Sequence, residues 1–120
     1  MDALNSLTRL VPTVMQVIGT VLYTSTTPSL SQLGGFAESD QAQVTVAISS
    51  TGVCIISVTN FRGLNGYLAG IATGTTISNM VSCTTQSYTA NTDTANFTFK
   101  VEDDASTAVD QGFNFILSAF

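Results

Sequence analysis

Apolar side chains recur at every second position in several short stretches of this chain. The stretch 43–50, QVTVAISS, places Val44, Val46 and Ile48 on one side and Thr45 on the other. Successive side chains of a β-strand point to opposite faces of a sheet, whereas those of a helix repeat every 3.6 residues. The period of two therefore predicts half-buried β-strands.

The rest of the region after residue 43 continues in short strands. A Ser-Thr-Gly turn leads from 43–50 into VCIISVT at 53–59, which is apolar on both faces and typical of a central strand. The segments ANFTFKV and FNFILSAF, at 95–101 and 113–120, also alternate, and weaker strands are predicted at 67–72, 77–82 and 84–89. This spacing predicts an all-β fold, a small sandwich or barrel of about six to eight short strands.

The N-terminal region follows a different pattern. Alternating steps of three and four residues, the spacing of a helical seam, separate Leu4, Leu7, Val11, Val14, Ile18 and Val21. Pro12 and the β-branched residues after it oppose one long helix. We therefore expect an N-terminal arm that is helical at first and then extended.

These patterns divide the chain into three parts of a single domain. We expect the arm over 1–23, a connecting loop over the polar residues 24–43 and a β-domain over 44–120. Residues 10–23 are apolar, but no A-x-A cleavage pattern follows them and they are too few to cross a bilayer as a helix. Neither a secretion signal nor a membrane anchor is predicted.

Hydroxyl groups replace charges on the predicted surface. The chain has 19 Thr and 13 Ser, and charged residues make up 9% of it, against about 25% in ordinary domains. Few charges leave little repulsion between copies, which fits a subunit covered in an assembly, although a Thr/Ser-rich extracellular domain has the same composition.

The charge balance excludes two classes of partner. The net charge of −5 includes only three bases, Arg9, Arg62 and Lys100. Nucleic-acid binding needs clustered Lys and Arg, and anionic membranes attract the same clusters. We expect no nucleic-acid partner and no membrane partner.

Catalytic constellations are missing from the sequence. The chain has no histidine, which removes Ser-His and Cys-His pairs, and Lys100 lies on the polar face of a predicted strand. The acids Glu102, Asp103, Asp104 and Asp110 indicate a solvated hairpin loop, with a calcium site as the alternative. We expect no enzyme, no cofactor and no metal.

The two cysteines leave two interpretations open. Cys54 and Cys83 have no CxxC spacing and no histidine to complete a zinc site. They could form one disulfide, but we favour two free thiols in strands because no export signal is predicted.

The C-terminal strand points to an interface. Phe113, Phe115 and Leu117 share its core face, whereas Ile116 and Phe120 lie on the opposite face, which a lone domain would leave polar. Something must cover the second face, either the N-terminal arm or another subunit. The predicted interface residues are Leu4, Leu7, Val11, Val14, Ile116 and Phe120.

The overall profile resembles the small capsid decoration (cement) proteins of tailed bacteriophages. The resemblance lies in the length, the Ser/Thr-rich strands, the scarce charge, the apolar N-terminal arm and the apolar C-terminus. It implies a non-enzymatic virion structural protein on the capsid exterior, made in the host cytoplasm, that stabilises the shell. Its implied partners are copies of itself, as a homotrimer, and the major capsid protein.

A local segment resembles a second family. NTDTANFTFKV, residues 91–101, is similar to the closing strand of fimbrial subunits assembled by the chaperone–usher route. The alternative functions are therefore a secreted pilin-like or adhesin subunit and a phage tail or receptor-binding component.

Overall fold

Eight β-strands in two antiparallel sheets make up the fold. The structure, a computed structural model, describes residues 15–35, 43–63 and 65–120. The strands are β1 (Met15–Thr24), β2 (Thr27–Gly35), β3 (Val44–Ser50), β4 (Val53–Thr59), β5 (Leu68–Gly74), β6 (Met80–Thr89), β7 (Thr94–Glu102) and β8 (Phe113–Ala119). Sheet A has the strand order β2-β1-β8-β5 and sheet B the order β3-β4-β7-β6. The predicted all-β fold is confirmed, and it is a sandwich.

Aromatic side chains from the two sheets meet in the core. Phe97 and Phe99 on β7 face Phe113 and Phe115 on β8, and all four are at most 2% exposed. The rings of Phe99 and Phe113 are 5.2 Å apart between centroids, within the range of favourable aromatic pairs. The core faces of β7 and β8 are those that the alternation predicts.

The predicted hairpin of β3 and β4 is confirmed. Its turn needs a glycine, because Gly52 has φ of +72° and a Cβ there would lie 2.8 Å from the Val101 carbonyl oxygen. The Gly52 N–H donates a hydrogen bond to Asp110 Oδ1 at 2.7 Å, which ties the turn to the loop before β8.

β6 is one strand where the sequence predicts two. Its pairing with β7 shifts register between Cys83 and Thr85. A bulge adds one residue to a strand and reverses the alternation beyond it. In the sequence, this reversal of the apolar alternation looks like the end of one strand at 77–82 and the start of another at 84–89.

The predicted arm and connecting loop require correction from Met15 onward. β1 lies between β2 and β8, and Val17 and Val21 are fully buried. Met15, Val17 and Val21 follow a period of two, and this period overlaps with the helical spacing in the same residues. The structure follows the period of two, which is that of a strand. Residues 15–24 are thus a central strand of the domain, not an arm reaching a partner.

β2 occupies much of the predicted connecting loop. It is an edge strand, so one of its long sides has no neighbour in the sheet, and only Leu30 and Leu33 among its large side chains pack against the core. An edge strand with one covered face can be mostly polar, which is why this segment resembles a loop in sequence. The rest of the predicted arm and loop, 1–14 and 36–42, lies outside the described residues.

Candidate assembly interface

Three isoleucines form a row across the outer face of sheet A. Ile116 on β8 is paired directly with Ile18 on β1 and with Ile71 on β5. Their side chains are 38%, 45% and 64% exposed, respectively. Directly opposed residues have Cβ atoms about 5 Å apart, so the three side chains form one continuous apolar strip. We call Ile18, Ile116 and Ile71 the isoleucine row.

Polar side chains flank the isoleucine row on both sides. Thr20 and Asn114 are the next outward-facing pair of β1 and β8 in one direction, and Thr20 Oγ1 donates to Asn114 Oδ1 at 2.7 Å. Gln16 and Ser118 are the next pair in the other direction, with Gln16 Nε2 3.5 Å from Ser118 Oγ. These contacts limit the apolar strip to a width of one residue along the strands.

The C-terminal residue continues this face. The Phe120 N–H donates to the Tyr67 carbonyl at 2.8 Å, and the Tyr67 N–H donates back at 3.2 Å. This pair extends the β5–β8 ladder by one step, so the alternation places both side chains on the outer face of sheet A. Phe120 is 37% exposed and Tyr67 69% exposed.

The chain itself therefore secures the C-terminal backbone. The Asn65 N–H donates a third hydrogen bond to the Phe120 carbonyl, at 3.0 Å. A Cβ at Gly63 would overlap the backbone of Phe120, so the loop can approach this closely only with glycine there. Contact of the Phe120 side chain with a partner stays a prediction.

Exposed apolar side chains concentrate on this one face. Nine large apolar side chains are exposed among the described residues, and six of them lie on the outer face of sheet A. The six are Ile18, Leu22, Tyr67, Ile71, Ile116 and Phe120. The four strands of sheet A contain no Asp, Glu, Lys or Arg. The face is thus both the most apolar and the least charged part of the described surface.

The outer face of sheet B has a different character. Asn96, Thr98 and Lys100 point outward from β7, with Ser57 Oγ donating to Asn96 Oδ1 at 2.8 Å. Lys100 Nζ lies 3.7 Å from Glu102 Oε1. Hydroxyl, amide and charged groups share this face with Val53, Ile55 and Met80, so it is more polar than the outer face of sheet A but not free of apolar side chains.

The structure places only part of the predicted interface. Ile116 and Phe120 share the outer face of sheet A and are exposed, whereas Leu4, Leu7, Val11 and Val14 lie outside the described residues. Sequence reasoning assigned Ile18 to a helical seam and did not single out Ile71. Ile18 alternates with Val17 and Gly19, which indicates an outward position in a strand, but nothing in the sequence gives the register that aligns it with Ile116.

Two of the acidic residues near the C-terminus accept hydrogen bonds from backbone N–H groups. Asp103 Oδ1 accepts hydrogen bonds from the N–H groups of Ala105 and Thr107, both at 2.9 Å, and Asp110 holds Gly52. Such bonds stabilise tight turns. In the part of the chain that the structure describes, no three acidic, Cys or His side chains cluster closely enough to hold a metal ion.

Both cysteines are free thiols on either side of one core phenylalanine. Cys54 and Cys83 are each paired with Phe99 across the sheet. Strands two apart are separated by roughly 9.5 Å, beyond the Cα separation that a disulfide spans. The pair therefore cannot be bridged without moving the backbone.

Burial keeps the thiol and phenol groups protonated. It raises the pKa of Cys54 to about 11 and also raises that of Cys83. Burial, followed by the neighbouring Cys54, raises the pKa of Tyr23 well above its usual value. The buried Tyr23 hydroxyl lies beside the Cys54 thiol, which is the neighbouring group with the largest effect on the pKa of Tyr23. None of these groups is a ready nucleophile at neutral pH.

A recess of about 200 Å³ lies at one end of the sandwich. Phe61, Arg62, Leu68 and Tyr88 line it, with the Arg62 guanidinium 5.5 Å from the centre of the Tyr88 ring. The described residues that line it include no carboxylate and no thiol. The recess presents no acid–base pair, so the outer face of sheet A is the stronger candidate site.

Comparison with known proteins identifies no relative. No protein-family model, no curated protein and no solved structure matches this chain. No helix of the described ranges has the length and apolar character needed to span a membrane.

Proposed function

We propose that this protein is a non-enzymatic structural subunit that attaches to other protein surfaces through the outer face of sheet A. The isoleucine row carries this proposal. A single exposed Ile is ordinary on a soluble domain, but a contiguous apolar patch framed by polar residues is typical of an interaction site.

The energy available at this row is sufficient to matter in an assembly. Its three side chains are already about half buried, so covering the remainder contributes roughly 1 kcal/mol per side chain. A symmetric assembly repeats that contribution in every copy. No charge has to lose its hydration shell, because the strands of sheet A contain none.

The finer proposal is a capsid decoration subunit. The Ser/Thr-rich strands and scarce charge support it through the resemblance described above. The two free thiols also support a protein made in a reducing cytoplasm, whereas a secreted pilin-like subunit of this size is usually stapled by a disulfide. The partners of the proposed decoration subunit are copies of itself and the major capsid protein.

Cosedimentation with particles tests this function. Particles are isolated from cells that carry the gene and are separated on a density gradient. An antibody raised against the purified chain then detects the chain in each fraction. We expect the chain in the particle band in a fixed ratio to the major protein. Ile116→Asp should prevent incorporation, whereas Ile55→Asp, on the outer face of sheet B, should not.

Two results contradict the proposal. The chain could remain in the soluble fraction, or it could be found on the cell surface or in the medium. Either result excludes a virion role, and the second favours the pilin-like or adhesin alternative.

A further inference from the structure

We propose that the outer face of sheet A binds a second copy of this chain, in a two-fold dimer whose axis runs parallel to the strands and passes beside Ile116. This inference names the partner of the face already proposed as an assembly surface, and in that sense it rests on the proposed function. It replaces the homotrimer that the resemblance to decoration proteins implies with a dimer.

The register of the strands makes this face self-complementary. Ile116 is on the middle strand of the isoleucine row, with Ile18 to one side and Ile71 to the other. A two-fold axis parallel to the strands keeps every residue at the same position along the strand direction and reverses the order of the strands across the sheet. The isoleucine row then faces the same row of the second copy, with Ile18 of each copy opposite Ile71 of the other. This reciprocity is what an isologous interface requires.

One polar row also meets a polar row in this arrangement. Asn114 lies on β8 beside the axis, so it faces Asn114 of the other copy, and its amide both donates and accepts hydrogen bonds. Thr20, itself only 8% exposed, lies opposite Thr73 of the other copy. On the other side of the isoleucine row, Gln16 lies opposite Ala69 and gains no polar partner there.

Charge favours a second copy over an unlike partner. The chain has a net charge of −5, so its copies repel unless they meet through a neutral surface. Sheet A is that surface, since all the charged residues of the described strands are on β7 in sheet B. An unlike partner bound by charge would need complementary groups that this face does not offer.

A shallow recess gives the opposing isoleucines somewhere to insert. It has a volume of about 140 Å³ and lies between β5 and β8, lined by Ile71, Thr73, Asn114 and Ile116 among others. A volume of this size accommodates a benzene-sized group. In the two-fold arrangement, Ile18 of each copy is directed at the recess of the other, as closely packed sheet faces require.

The area predicts a weak, concentration-dependent dimer. With the axis beside β8, the strands β1, β8 and β5 of one copy overlap the same three strands of the other, and β2 lies beyond the overlap. Three strands about 4.8 Å apart and seven residues long cover roughly 330 Å² in projection, or about 670 Å² for two copies. Specific interfaces generally exceed about 1,000 Å², so this one has the size of a weak, transient contact. We expect a dissociation constant in the micromolar range, which suits copies held at high local concentration in an assembly.

Sedimentation equilibrium of the full chain, from about 1 μM to about 1 mM, tests the dimer. The mass should rise from that of one 12.5 kDa chain to that of two. Ile116→Asp should raise the dissociation constant at least about a hundredfold, because each interface then buries two unpaired charges. Ile55→Asp is the matched control, an isoleucine on an inner strand of sheet B that also points outward, and should leave the constant within about twofold. Thermal melts establish that both variants are folded.

A charge exchange tests the axis. Ile18→Lys and Ile71→Asp should each weaken the dimer, whereas the double variant should recover most of the affinity, because each Lys then meets an Asp of the second copy. An axis perpendicular to the strands would place Lys against Lys and give no recovery.

Several results would overturn the inference. They are a monomer at every concentration, a trimer, a dimer that tolerates Ile116→Asp, and a double variant that does not recover. A chain that stays monomeric in solution yet loses particle incorporation through Ile116→Asp leaves the proposed function intact and removes only the second copy. If the chain forms the dimer but is found in no particle, the second copy is supported and the proposed virion function is removed.

Discussion

Deletion of residues 1–23 should unfold the domain. The deletion removes nearly all of β1, which lies between β2 and β8 and contributes three buried side chains, Met15, Val17 and Val21. Burying a side chain of this size contributes roughly 1.5–3 kcal/mol, so the three together contribute roughly 5–9 kcal/mol. A domain of this kind is stable by about 5–15 kcal/mol in total. The loss is therefore comparable to the whole free energy of unfolding.

Thermal melts followed by circular dichroism compare the full chain with two truncations. A chain lacking only residues 1–14 keeps all eight described strands and should melt cooperatively. The chain lacking 1–23 should show no cooperative transition. If it instead melts near the temperature of the full chain, β1 contributes little to the core, and the original assignment of an independent arm over 1–23 would be restored.

Three further perturbations test particular contacts. Urea unfolding should show full stability below pH 9 and a decline between pH 9 and about 11, because the unfolded thiol ionises at its ordinary pKa of 9.0 and burial raises that of Cys54 to about 11. Cys54→Ala should make the decline above pH 9 shallower without removing it, because burial also raises the pKa of Cys83, and a flat profile in the wild type would contradict the burial of both thiols. Phe120→Ser should weaken self-association in a dilution series while lowering the free energy of unfolding by no more than about 2 kcal/mol, since the side chain is 37% exposed and the backbone bonds remain. A larger loss of stability with unchanged association would reverse this assignment. Gly63→Ala should speed hydrogen exchange at the Phe120 amide, measured by NMR, because its Cβ displaces the C-terminal backbone, and unchanged protection would show that the loop can yield.

The strands that the sequence predicts well are those that alternate without interruption. On β7, Phe97 and Phe99 alternate with Asn96 and Thr98, and the structure buries the first pair and turns the second outward. Local pattern suffices here because one face is core and the other is polar. The β3–β4 hairpin follows for the same reason, with Gly52 supplying the turn.

The first two strands could not be predicted in this way. In β1, Ile18 and Leu22 point outward and are 45% and 48% exposed, so the strand is apolar on both faces and its period is obscured. In β2, the pairing with β1 shifts register between Ile18 and Thr20, and Gln32 has a positive φ of 53°. The bulge and the positive φ depend on how β2 pairs with β1, and the period of apolar residues within either strand does not reveal that pairing.

The candidate site depends on long-range register even more strongly. Ile18, Ile71 and Ile116 are spread over the whole chain, and each alone resembles a scattered surface residue. They become one strip only because β1 and β5 both pair with β8 at the same height. A shift of one residue in either ladder would turn that isoleucine toward the core and destroy the strip.

The width of this strip limits how the proposed second copy can align with it. A broad apolar face with no charge would stack on other copies in many alignments and aggregate. Here the hydrogen-bonded pairs Thr20–Asn114 and Gln16–Ser118 border the isoleucine row, and displacing either pair over an apolar neighbour would bury polar groups without partners. An alignment that sets isoleucine on isoleucine and Asn114 on Asn114 reduces that cost. In the proposed dimer, the polar residues beside the isoleucine row therefore restrict it to few modes of contact, which favours one specific alignment over many.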